Sequence, residues 1–470
     1  MSKPSDIINR DAEWTRLQAI VEDDRPHLVF VTGRRRIGKS YVLARLTREF
    51  GGIYYQATRR TETDQLAALS RQIGKRFDDV LMHNVSFRMW EDMFGYLLRR
   101  ASQEPLVVVL DEFPFLASSV PALTSIIQSI WDHDWQTTSL KLILSGSYIT
   151  VMKQLEEADQ PLYGRRTAKL AFTPFSYRDV KHFVPGYGVR DQLLTYGLFG
   201  SLPGNLVLLD ESRSLTDNVA SLLLEPTGRL VDDAEHILDA FLGDADVHYS
   251  IISAIAQGDQ TWRGITSRIG KSGSSVSRPL QWLDEMDIVR RVVPITEKHP
   301  TKSRRVVYRI TDPYVAFWHR FVAPLVRAGT VGLAEPSTIW AETIASHVDE
   351  YMGPVFEQIC REYAGHPGVL PFQPMRVGEW WNSTSENQVD VIAVGARGDI
   401  LVGEAKWGGV THHDLARLKM RAGLVAGEFG AVSRIHLALF TGSGSVDEEV
   451  DTERKDGNVL VFTGAEMLGS

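Results

Sequence analysis

Short hydrophobic runs alternate with longer amphipathic stretches from about residue 27 to about residue 147. The runs are HLVFVTG, GGIYYQA, PLVVVLDE and LKLILSGS. Each contains mostly branched or aromatic residues between turn signals, which is typical of a strand buried on both faces of a parallel sheet. Segments such as SYVLARLTREF between them have the period of helices. The pattern predicts a doubly wound α/β domain over residues 1–160.

The hydrophobic pattern changes further along the chain. Residues 161–245 have a helical period broken by Gly and Pro in QPLYGRRT and LFGSLPGNL, and predict a helical lid packed on the first domain. Residues 246–325 give three helical segments followed by the strands IVRRVVPI and RRVVYRIT, the order of a winged helix-turn-helix. After a Gly- and Ala-rich linker near 328–338, residues 340–470 predict a second α/β domain. The expected fold class is therefore multidomain α/β.

Composition adds a few limits to this picture. The chain has 470 residues, of which 43% are hydrophobic and 23% charged, as in folded multidomain proteins. The single cysteine, Cys360, excludes an intramolecular disulfide and a thiolate zinc cluster. No apolar run approaches the ~20 residues that span a bilayer, and the first residues lack the apolar core of a signal peptide. We therefore expect a cytoplasmic protein without a membrane partner.

The segment VTGRRRIGKS follows the first predicted strand and opens a predicted helix. Gly33, Gly38, Lys39 and Ser40 fill the pattern G-x-x-x-x-G-K-S. In such a loop the backbone amides wrap phosphates, the lysine neutralises β- and γ-phosphate oxygens, and the serine supplies an oxygen to Mg²⁺. An ordinary glycine-rich turn would not need lysine and serine at these positions. The segment predicts a site for ATP and Mg²⁺.

Two further strands end in polar residues that suit the same site. Asp111 closes PLVVVLDEF, where it can hold Mg²⁺ through water, and Glu112 can polarise the attacking water. The run LKLILSGS ends in Ser145 and Ser147, whose hydroxyls lie where a polar group senses a γ-phosphate, although serine also simply terminates strands. Together with the glycine-rich loop, these residues predict hydrolysis as well as binding.

Several arginines near the predicted site have more than one interpretation. Arg165 and Arg166 in PLYGRRT can place a guanidinium on the γ-phosphate, from the same chain or across a subunit boundary, and a surface role is equally open. Arg10 precedes the first strand and either lines the adenine pocket or lies on the surface. Of these three, we assign Arg165 to nucleotide binding.

These motifs together resemble the archaeal-type ATPase family of the STAND/AAA-related P-loop NTPases. The resemblance runs through NRDAEWTRL, HLVFVTGRRRIGKSYVL, VVVLDEFPFL, LILSGSYI, PLYGRRT and LFGSLPGNL, over most of the first two hundred residues. It implies phosphate binding from Gly33 to Ser40, and Mg²⁺ binding and hydrolysis at Asp111 and Glu112. Ser201 stands where the family usually has the second glycine of a Gly-Gly-x-Pro run. The resemblance also implies that a homo-oligomer can complete the site.

Positive charge is concentrated in the middle of the chain. Residues 261–310 contain eleven lysines and arginines and four acidic residues, although the whole chain has a net charge of -8. Ser274, Ser275, Ser277 and Arg278 open a predicted recognition helix, and EKHPTKSRR predicts a basic wing. We expect DNA as the partner because the basic excess is larger than packing needs. The alternative is a winged helix used only for packing or regulation.

The segment NQVDVIAVGARGDILVGEAKW predicts two consecutive strands with acidic residues. Alternation along a strand puts Glu404 and Lys406 on one face, beside Asp390. Two carboxylates can bind hard cations such as Mg²⁺, and a lysine can orient the attacking water. Glu357 on the preceding helix can complete the cluster. The alternative is an exposed hairpin with ordinary surface charges.

The order helix-Glu, strand-Asp, strand-Glu-x-Lys resembles the PD-(D/E)xK restriction-endonuclease-like fold over about residues 350–445. The resemblance implies Mg²⁺-dependent phosphodiester cleavage at Glu357, Asp390, Glu404 and Lys406. The sequence thus predicts an ATP-hydrolysing switch protein that acts on DNA and has a C-terminal nuclease domain. One alternative is an ATP-controlled regulator whose end domain binds nucleic acid or protein without cutting it. Another is a switch ATPase that acts only on protein partners.

Overall fold

The computed structural model describes residues 2–78, 86–235, 246–429 and 432–469. The chain forms two compact units. Unit 1 comprises Met1–Pro174 and Leu202–Gly204, and unit 2 comprises Phe175–Ser201 and Asn205–Ser470. The first unit therefore extends beyond residue 160, where the hydrophobic pattern placed its end.

Unit 1 is built on a parallel five-stranded sheet with the order β2-β3-β4-β1-β5. The first four strands match the four predicted hydrophobic runs. The fifth has only four residues, alternates between buried and exposed positions, and was not predicted. The strands are β1 (His27–Thr32), β2 (Ile53–Gln56), β3 (Leu106–Asp111), β4 (Leu140–Gly146) and β5 (Ala168–Ala171).

Helices cover both faces of this sheet. Successive residues of a strand point to opposite faces, so one strand contributes side chains to two hydrophobic clusters. Leu28 and Phe30 of β1 join one hydrophobic cluster, and Val29 and Val31 join the other. This two-sided burial explains why the strands are continuous hydrophobic runs. The helices are α1 (Asp11–Glu22), α2 (Lys39–Glu49), α3 (Glu62–Phe77), α4 (Trp90–Ala101), α5 (Phe113–Ser119), α6 (Leu123–His133) and α7 (Ile149–Gln154), with a 3₁₀ turn at Trp135–Thr137.

Within the described ranges, no single helix is long and apolar enough to cross a membrane. Helices α5 and α6 taken together have the length and apolar composition of a membrane span, but they are bent by 104° at the break between them. Phe113 and Leu116 of α5, and Leu123 and Ile127 of α6, lie in the core of unit 1.

Of the segment predicted as a lid on the first domain, residues 161–174 and 202–204 cluster with unit 1, and the other described residues cluster with unit 2. The Tyr351 hydroxyl donates to the carbonyl of Gly197 at 2.9 Å, and Lys181 Nζ donates to the carbonyl of Leu468 at 2.7 Å. Residues 236–245 of the predicted lid lie outside the described residues. Its helices are α8 (Val189–Phe199), α9 (Pro203–Leu206) and α10 (Leu215–Val219), with a 3₁₀ segment Tyr177–His182 and a π turn Ala220–Leu224.

Three helices and a β-hairpin follow, in the order predicted. They are α11 (Asp246–Ala256), α12 (Trp262–Ile269), α13 (Ser274–Glu285), β6 (Val289–Val292) and β7 (Val307–Ile310), with a 3₁₀ turn Pro300–Lys302 in the hairpin loop. The two strands pair antiparallel. The chain then continues through α14 (Pro313–Phe317), a π turn Trp318–Val322, α15 (Ala323–Arg327) and α16 (Pro336–Ile339), followed by Trp340–Ile344 and Ala345–His347.

The last part of unit 2 is a mixed five-stranded sheet with the order β12-β11-β10-β9-β8. Strands β8, β9 and β10 pair antiparallel, and strands β10, β11 and β12 pair parallel. The hydrophobic pattern predicted β9, β10 and β11 but missed the two edge strands. The elements are α17 (Val348–Ala364), β8 (Pro374–Trp381), β9 (Gln388–Gly395), β10 (Asp399–Lys406), α18 (His412–Glu428), β11 (Arg434–Thr441), α19 (Glu448–Lys455), β12 (Leu460–Thr463) and α20 (Gly464–Leu468).

Candidate nucleotide site and C-terminal acidic cluster

The loop between β1 and α2 requires glycine at two of the predicted positions. A Cβ on Gly33 would lie 2.7 Å from the carbonyl oxygen of Phe172. Gly38, which caps α2, has a φ of 90°, in the left-handed region that side chains disfavour. The loop therefore lies closely against the residue that follows β5, and its backbone amides lead into the start of a helix.

Lys39 is buried at the centre of this loop and is only 3% exposed. Its ammonium donates to the carbonyls of Gly33 and Arg34, at 2.6 and 3.0 Å, and to Ser147 Oγ at 3.0 Å. Burial lowers the pKa of Lys39 to about 8, and the carboxylates of Glu112 and Asp111 oppose that effect. A bound polyphosphate would oppose it further, since it would bring negative charge to a buried ammonium.

Ser147 connects Lys39 to the predicted hydrolytic residue. Its hydroxyl donates to Glu112 Oε1 at 2.8 Å. The other carboxylate oxygen, Oε2, is buried and has no hydrogen-bond partner among the described residues. A buried acceptor without a donor is costly, so this oxygen is suited to accept a hydrogen bond from a bound water. Ser145, the second predicted sensor, is buried and its hydroxyl likewise lacks a partner in the described structure.

Asp111 and Ser40 are connected through Tyr54, a residue that the sequence analysis missed. The Tyr54 hydroxyl donates to Asp111 Oδ2 at 2.6 Å, and the Ser40 side chain is close enough to lower the pKa of Tyr54. Burial, with the adjacent Asp111 carboxylate, raises the pKa of Tyr54 well above its ordinary value. Hydroxyl and carboxylate oxygens are ligands that Mg²⁺ prefers, so Ser40 and Asp111 fit the predicted metal.

Arg10 supports the loop from the N-terminal segment. One of its terminal nitrogens donates to the carbonyls of Ile37 and Thr173, at 3.0 and 2.8 Å, and the other pairs with Glu13 at 2.9 Å. The guanidinium also lies 5.2 Å from the centre of the Phe172 ring. The structure thus buries Arg10 against the loop backbone, which differs from both the adenine-pocket and the surface interpretations.

Arg165 is engaged away from the glycine-rich loop. It makes a bidentate ion pair with Asp132 at 2.9 and 2.8 Å, and it donates to the carbonyls of Pro161 and Tyr163. Arg166 pairs with Glu156. A role for Arg165 at a γ-phosphate stays a prediction, and in this conformation it would require the release of Asp132.

Three of the acidic residues predicted in the C-terminal domain converge. Strands β9 and β10 pair with Val391 opposite Gly403, and Asp390 Oδ2 accepts from the amide of Ala405 at 3.0 Å. Burial, together with the neighbouring Glu357 and Glu404 carboxylates, raises the pKa of Asp390 to about 7. Burial also raises the pKa of Glu357. The cluster therefore retains a proton near neutral pH.

Two arginines and a lysine donate hydrogen bonds to the carboxylate of Glu404, and a third arginine donates to the backbone of Asp390. Glu404 accepts from Lys406 at 2.8 Å, from Arg417 at 3.0 Å and from Arg421 at 2.9 Å. Arg361 donates to the backbone carbonyl of Asp390 at 2.8 Å. Arg417 and Arg421 are four residues apart on α18 and so share a helix face, a spacing that the sequence analysis did not use.

The predicted Mg²⁺ site at Asp390 and Glu404 is not assembled in this arrangement. Both oxygens of Glu404 accept from cationic side chains, and Lys406 is paired with Glu404. Within the part of the chain that the structure describes, no group of three or more His, Cys, Asp or Glu residues is placed to hold a metal ion. The present geometry is a network of ion pairs and does not fit an open cation site.

A buried ion pair joins the β-hairpin to the C-terminal sheet. Arg309 of β7 makes two hydrogen bonds to Glu379 of β8, at 3.0 and 2.5 Å, and the Glu379 side chain is 3% exposed. The amide of Ile295 donates to the carbonyl of Glu379 at 2.9 Å, and Arg305 donates to the carbonyl of Trp381. Part of the basic excess that predicted DNA contact is therefore used for packing.

The remaining basic residues of this region lie on the surface. In α13, Val276 and Leu280 are buried, which leaves the opposite side of the helix start exposed. Arg268 is paired with Asp259. The exposed side chains at the helix start are Ser274, Ser275, Ser277 and Arg278, and the exposed cations nearby and in the hairpin loop are Lys271, Lys298, Lys302 and Arg304.

The fold and site geometry define unit 1 as a parallel-sheet α/β domain of the P-loop NTPase class. Residues 7–209 match the family model of an ATPase domain predominantly from Archaea. Residues 318–418 match a model of archaeal and bacterial proteins of unknown function. The chain thus combines an ATPase domain with a separate C-terminal sheet domain.

The chain is also similar to proteins of known sequence or structure. An uncharacterised protein of Methanocaldococcus jannaschii is 26% identical over 417 residues, which cover 88% of this chain and 90% of the relative. The Walker-type ATPase of Pyrococcus abyssi is 19% identical with a TM-score of 0.50, over 68% of this chain and 97% of that chain. The ORC2 protein of Aeropyrum pernix, in ADPNP-ADP complexes, is 14% identical with a TM-score of 0.45, over 70% and 96% of the two chains.

Proposed function

We propose that this protein binds and hydrolyses ATP in unit 1 and acts on DNA through residues 246–310 of unit 2. One observation carries the ATP half of the proposal. The hydrogen-bonded series Lys39, Ser147 and Glu112 joins the glycine-rich loop to a buried carboxylate with one unpaired oxygen. Such a series gives a phosphate-binding cation and a water-binding base in one site.

The residues of the site have separate roles in this proposal. The loop amides and the Lys39 ammonium bind the phosphate oxygens, and Glu112 accepts the proton of the attacking water. Ser147 orients Glu112 through its hydrogen bond to Oε1. Ser40 and Asp111 would hold Mg²⁺, which, when bound, neutralises the charge that develops on the transferred phosphate.

The DNA half of the proposal depends on charge at a helix start. Arg278 and the serines beside it are exposed at the beginning of α13, and Lys298, Lys302 and Arg304 are exposed in the hairpin loop. Exposed arginine and lysine side chains bind DNA phosphates, and the start of a helix in this type of module enters the major groove. Arg305 and Arg309 are used for packing and contribute less to this surface.

The ATP half is tested by replacing Lys39 with alanine. Loss of the ammonium is expected to abolish ATP binding, because it removes the buried cation that would neutralise the β- and γ-phosphate oxygens. Binding of a fluorescent ATP analogue and phosphate release measure the effect. Lys75→Ala, at an exposed position of α3, is the matched control and should behave as wild type. ATP turnover by Lys39→Ala at the wild-type rate would contradict the proposal.

The DNA half is tested in the same preparation with a duplex oligonucleotide. Arg278→Ala combined with Lys302→Ala should weaken binding and reduce the salt dependence of the affinity by about two phosphate contacts. Arg434→Ala, at an exposed position of β11, is the control. If the double variant binds the duplex as wild type does, over a range of salt concentrations, this region serves packing only.

Phosphodiester cleavage by the C-terminal domain is a second candidate function, favoured by the convergence of Glu357, Asp390 and Glu404. It requires the ion pairs of Glu404 to open. Nicking of supercoiled plasmid with Mg²⁺ should then disappear in Asp390→Ala and Lys406→Ala. It should also rise with pH through about 7, since cation binding needs Asp390 deprotonated. Nicking that survives both substitutions would exclude this site.

A further inference from the structure

Unit 1 has a large groove that the proposed functional sites do not use. Its volume is about 1000 Å³. It is lined by the segment that follows β2, by α5 and by the residues that follow β4. In a parallel sheet these segments lie at the carboxyl edge, where ligands bind in open α/β folds. The groove therefore shares an edge of the sheet with Glu112 and Ser147.

The groove combines cations with aromatic rings. Arg59 and Arg60 are exposed on its wall. The Arg59 guanidinium lies 5.6 Å from the centre of the Phe115 ring, and the Phe115 and Tyr148 ring centres are 5.6 Å apart, with an angle of 74° between the rings. Glu62, at the start of α3, is the one acidic residue among the lining side chains. The wall is thus net positive beside an edge-to-face pair of aromatic rings.

Single-stranded nucleic acid has the chemistry that matches this wall. Its unpaired bases stack on aromatic side chains, and its phosphates bind arginine. A duplex hides its base faces, so it would use the arginines but not Phe115 or Tyr148. An acidic peptide would leave the rings unused in the same way. The volume is at the upper end of the ~300–1,000 Å³ of pockets for small ligands, which gives room for more than one nucleotide.

The groove is joined through the backbone to the hydrolytic residues. Helix α5, which carries Phe115, begins directly after Glu112, and Tyr148 directly follows Ser147. Ser147 and Glu112 are hydrogen-bonded to each other at 2.8 Å. A nucleic-acid strand whose bases stack on Phe115 and Tyr148 therefore fixes the two backbone segments that position this hydrogen bond.

We propose that this groove binds a single strand of nucleic acid and that its occupancy changes the rate of ATP hydrolysis. The proposal rests on the proposed function, since it names a second DNA-binding surface in an ATP-hydrolysing protein. It differs from the surface at residues 246–310 in its position, in unit 1, and in the form of nucleic acid that it binds.

The test uses the full chain and a fluorescent oligothymidylate of about 12 nucleotides. Arg59→Ala combined with Arg60→Ala, and separately Phe115→Leu, should each weaken binding at least about tenfold, which corresponds to ~1.4 kcal/mol. Wild-type ATP turnover should change severalfold when the oligonucleotide is added, and turnover of these variants should not. Arg99→Ala combined with Lys75→Ala, at exposed positions of α4 and α3, is the charge-matched control.

Each outcome distinguishes this proposal from the function on which it rests. Oligothymidylate affinity that is unchanged in the arginine pair, whose exposed side chains can be removed without loss of fold, overturns the groove assignment. If duplex binding still depends on Arg278, only the groove proposal fails. If neither oligothymidylate nor duplex binds, the proposed action on DNA fails as well. Binding of polyglutamate that competes equally with oligothymidylate would assign the groove to an acidic protein partner and overturn the proposal.

Discussion

Replacing Glu112 with glutamine is expected to lower the rate of ATP hydrolysis about a hundredfold to ten-thousandfold and to leave ATP affinity nearly unchanged. Glutamine keeps the size of the side chain and can still accept the hydrogen bond from Ser147 through its amide oxygen. It cannot accept a proton from water, so only the chemical step is lost. Phosphate release under saturating ATP gives kcat, and equilibrium titration with a fluorescent ATP analogue gives the affinity.

The controls for this experiment separate the base from its surroundings. Glu91→Gln, at an exposed position in the first turn of α4, should not change kcat. Ser147→Ala should lower kcat less than Glu112→Gln does, because it removes the orientation of the base but not the base itself. A Glu112→Gln variant that turns over ATP like wild type would rule out Glu112 as the proton acceptor.

Replacing Arg309 with methionine is expected to destabilise unit 2 by about 3–5 kcal/mol. The substitution leaves the Glu379 carboxylate, which is 3% exposed, without its bidentate partner in the protein interior. Most of the cost arises from this unpaired buried charge and only a small part from the lost attraction. Urea unfolding, followed by tryptophan fluorescence, measures it, because Trp380 and Trp381 neighbour Glu379 and are buried.

A second substitution shows whether the buried charge is the cause. Arg309→Met combined with Glu379→Leu should recover most of the lost stability, since it replaces the ion pair with apolar side chains of similar size. Arg304→Met, at an exposed position in the same hairpin, should change the free energy of unfolding by less than about 0.5 kcal/mol. If the double variant is no more stable than Arg309→Met, the cost comes from packing and the electrostatic explanation is wrong.

The sequence predicted the elements whose signal lies in a run of consecutive residues. Strands β1, β3 and β4 are continuous hydrophobic runs because both of their faces are buried, and each was predicted. The edge strand β2 is short but was predicted from its aromatic run IYYQ. The edge strands β5, β8 and β12 were missed, since they are short or half exposed and lack such a run. The helical segment after residue 174 was predicted as helical, but a helix period does not specify which unit its apolar face packs against.

The same distinction holds at the sites. The glycine-rich loop and Asp111-Glu112 are local motifs, and the structure places them at the carboxyl ends of β1 and β3, on one sheet edge with β4 between them. Tyr54, which reaches Asp111 from the neighbouring strand, looks like any aromatic strand residue in the sequence. The pairing of Arg309 with Glu379 joins residues that are 70 positions apart, so no spacing rule indicates it. Contacts of this kind appear only once the sheets are assembled.

The three residues Leu202–Gly204 belong to unit 1, although the chain on either side of them belongs to unit 2. The Gly204 amide donates to the carbonyl of Arg36 at 3.0 Å, and a Cβ on Gly38 would contact the Pro203 ring at 3.8 Å. The chain thus joins unit 1 for only three residues, and these residues contact the glycine-rich loop. Pro203 and Gly204 are also the first residues of α9, and α8 ends three residues before Leu202, so the hydrogen bond to Arg36 ties the short connection between these two helices to the glycine-rich loop.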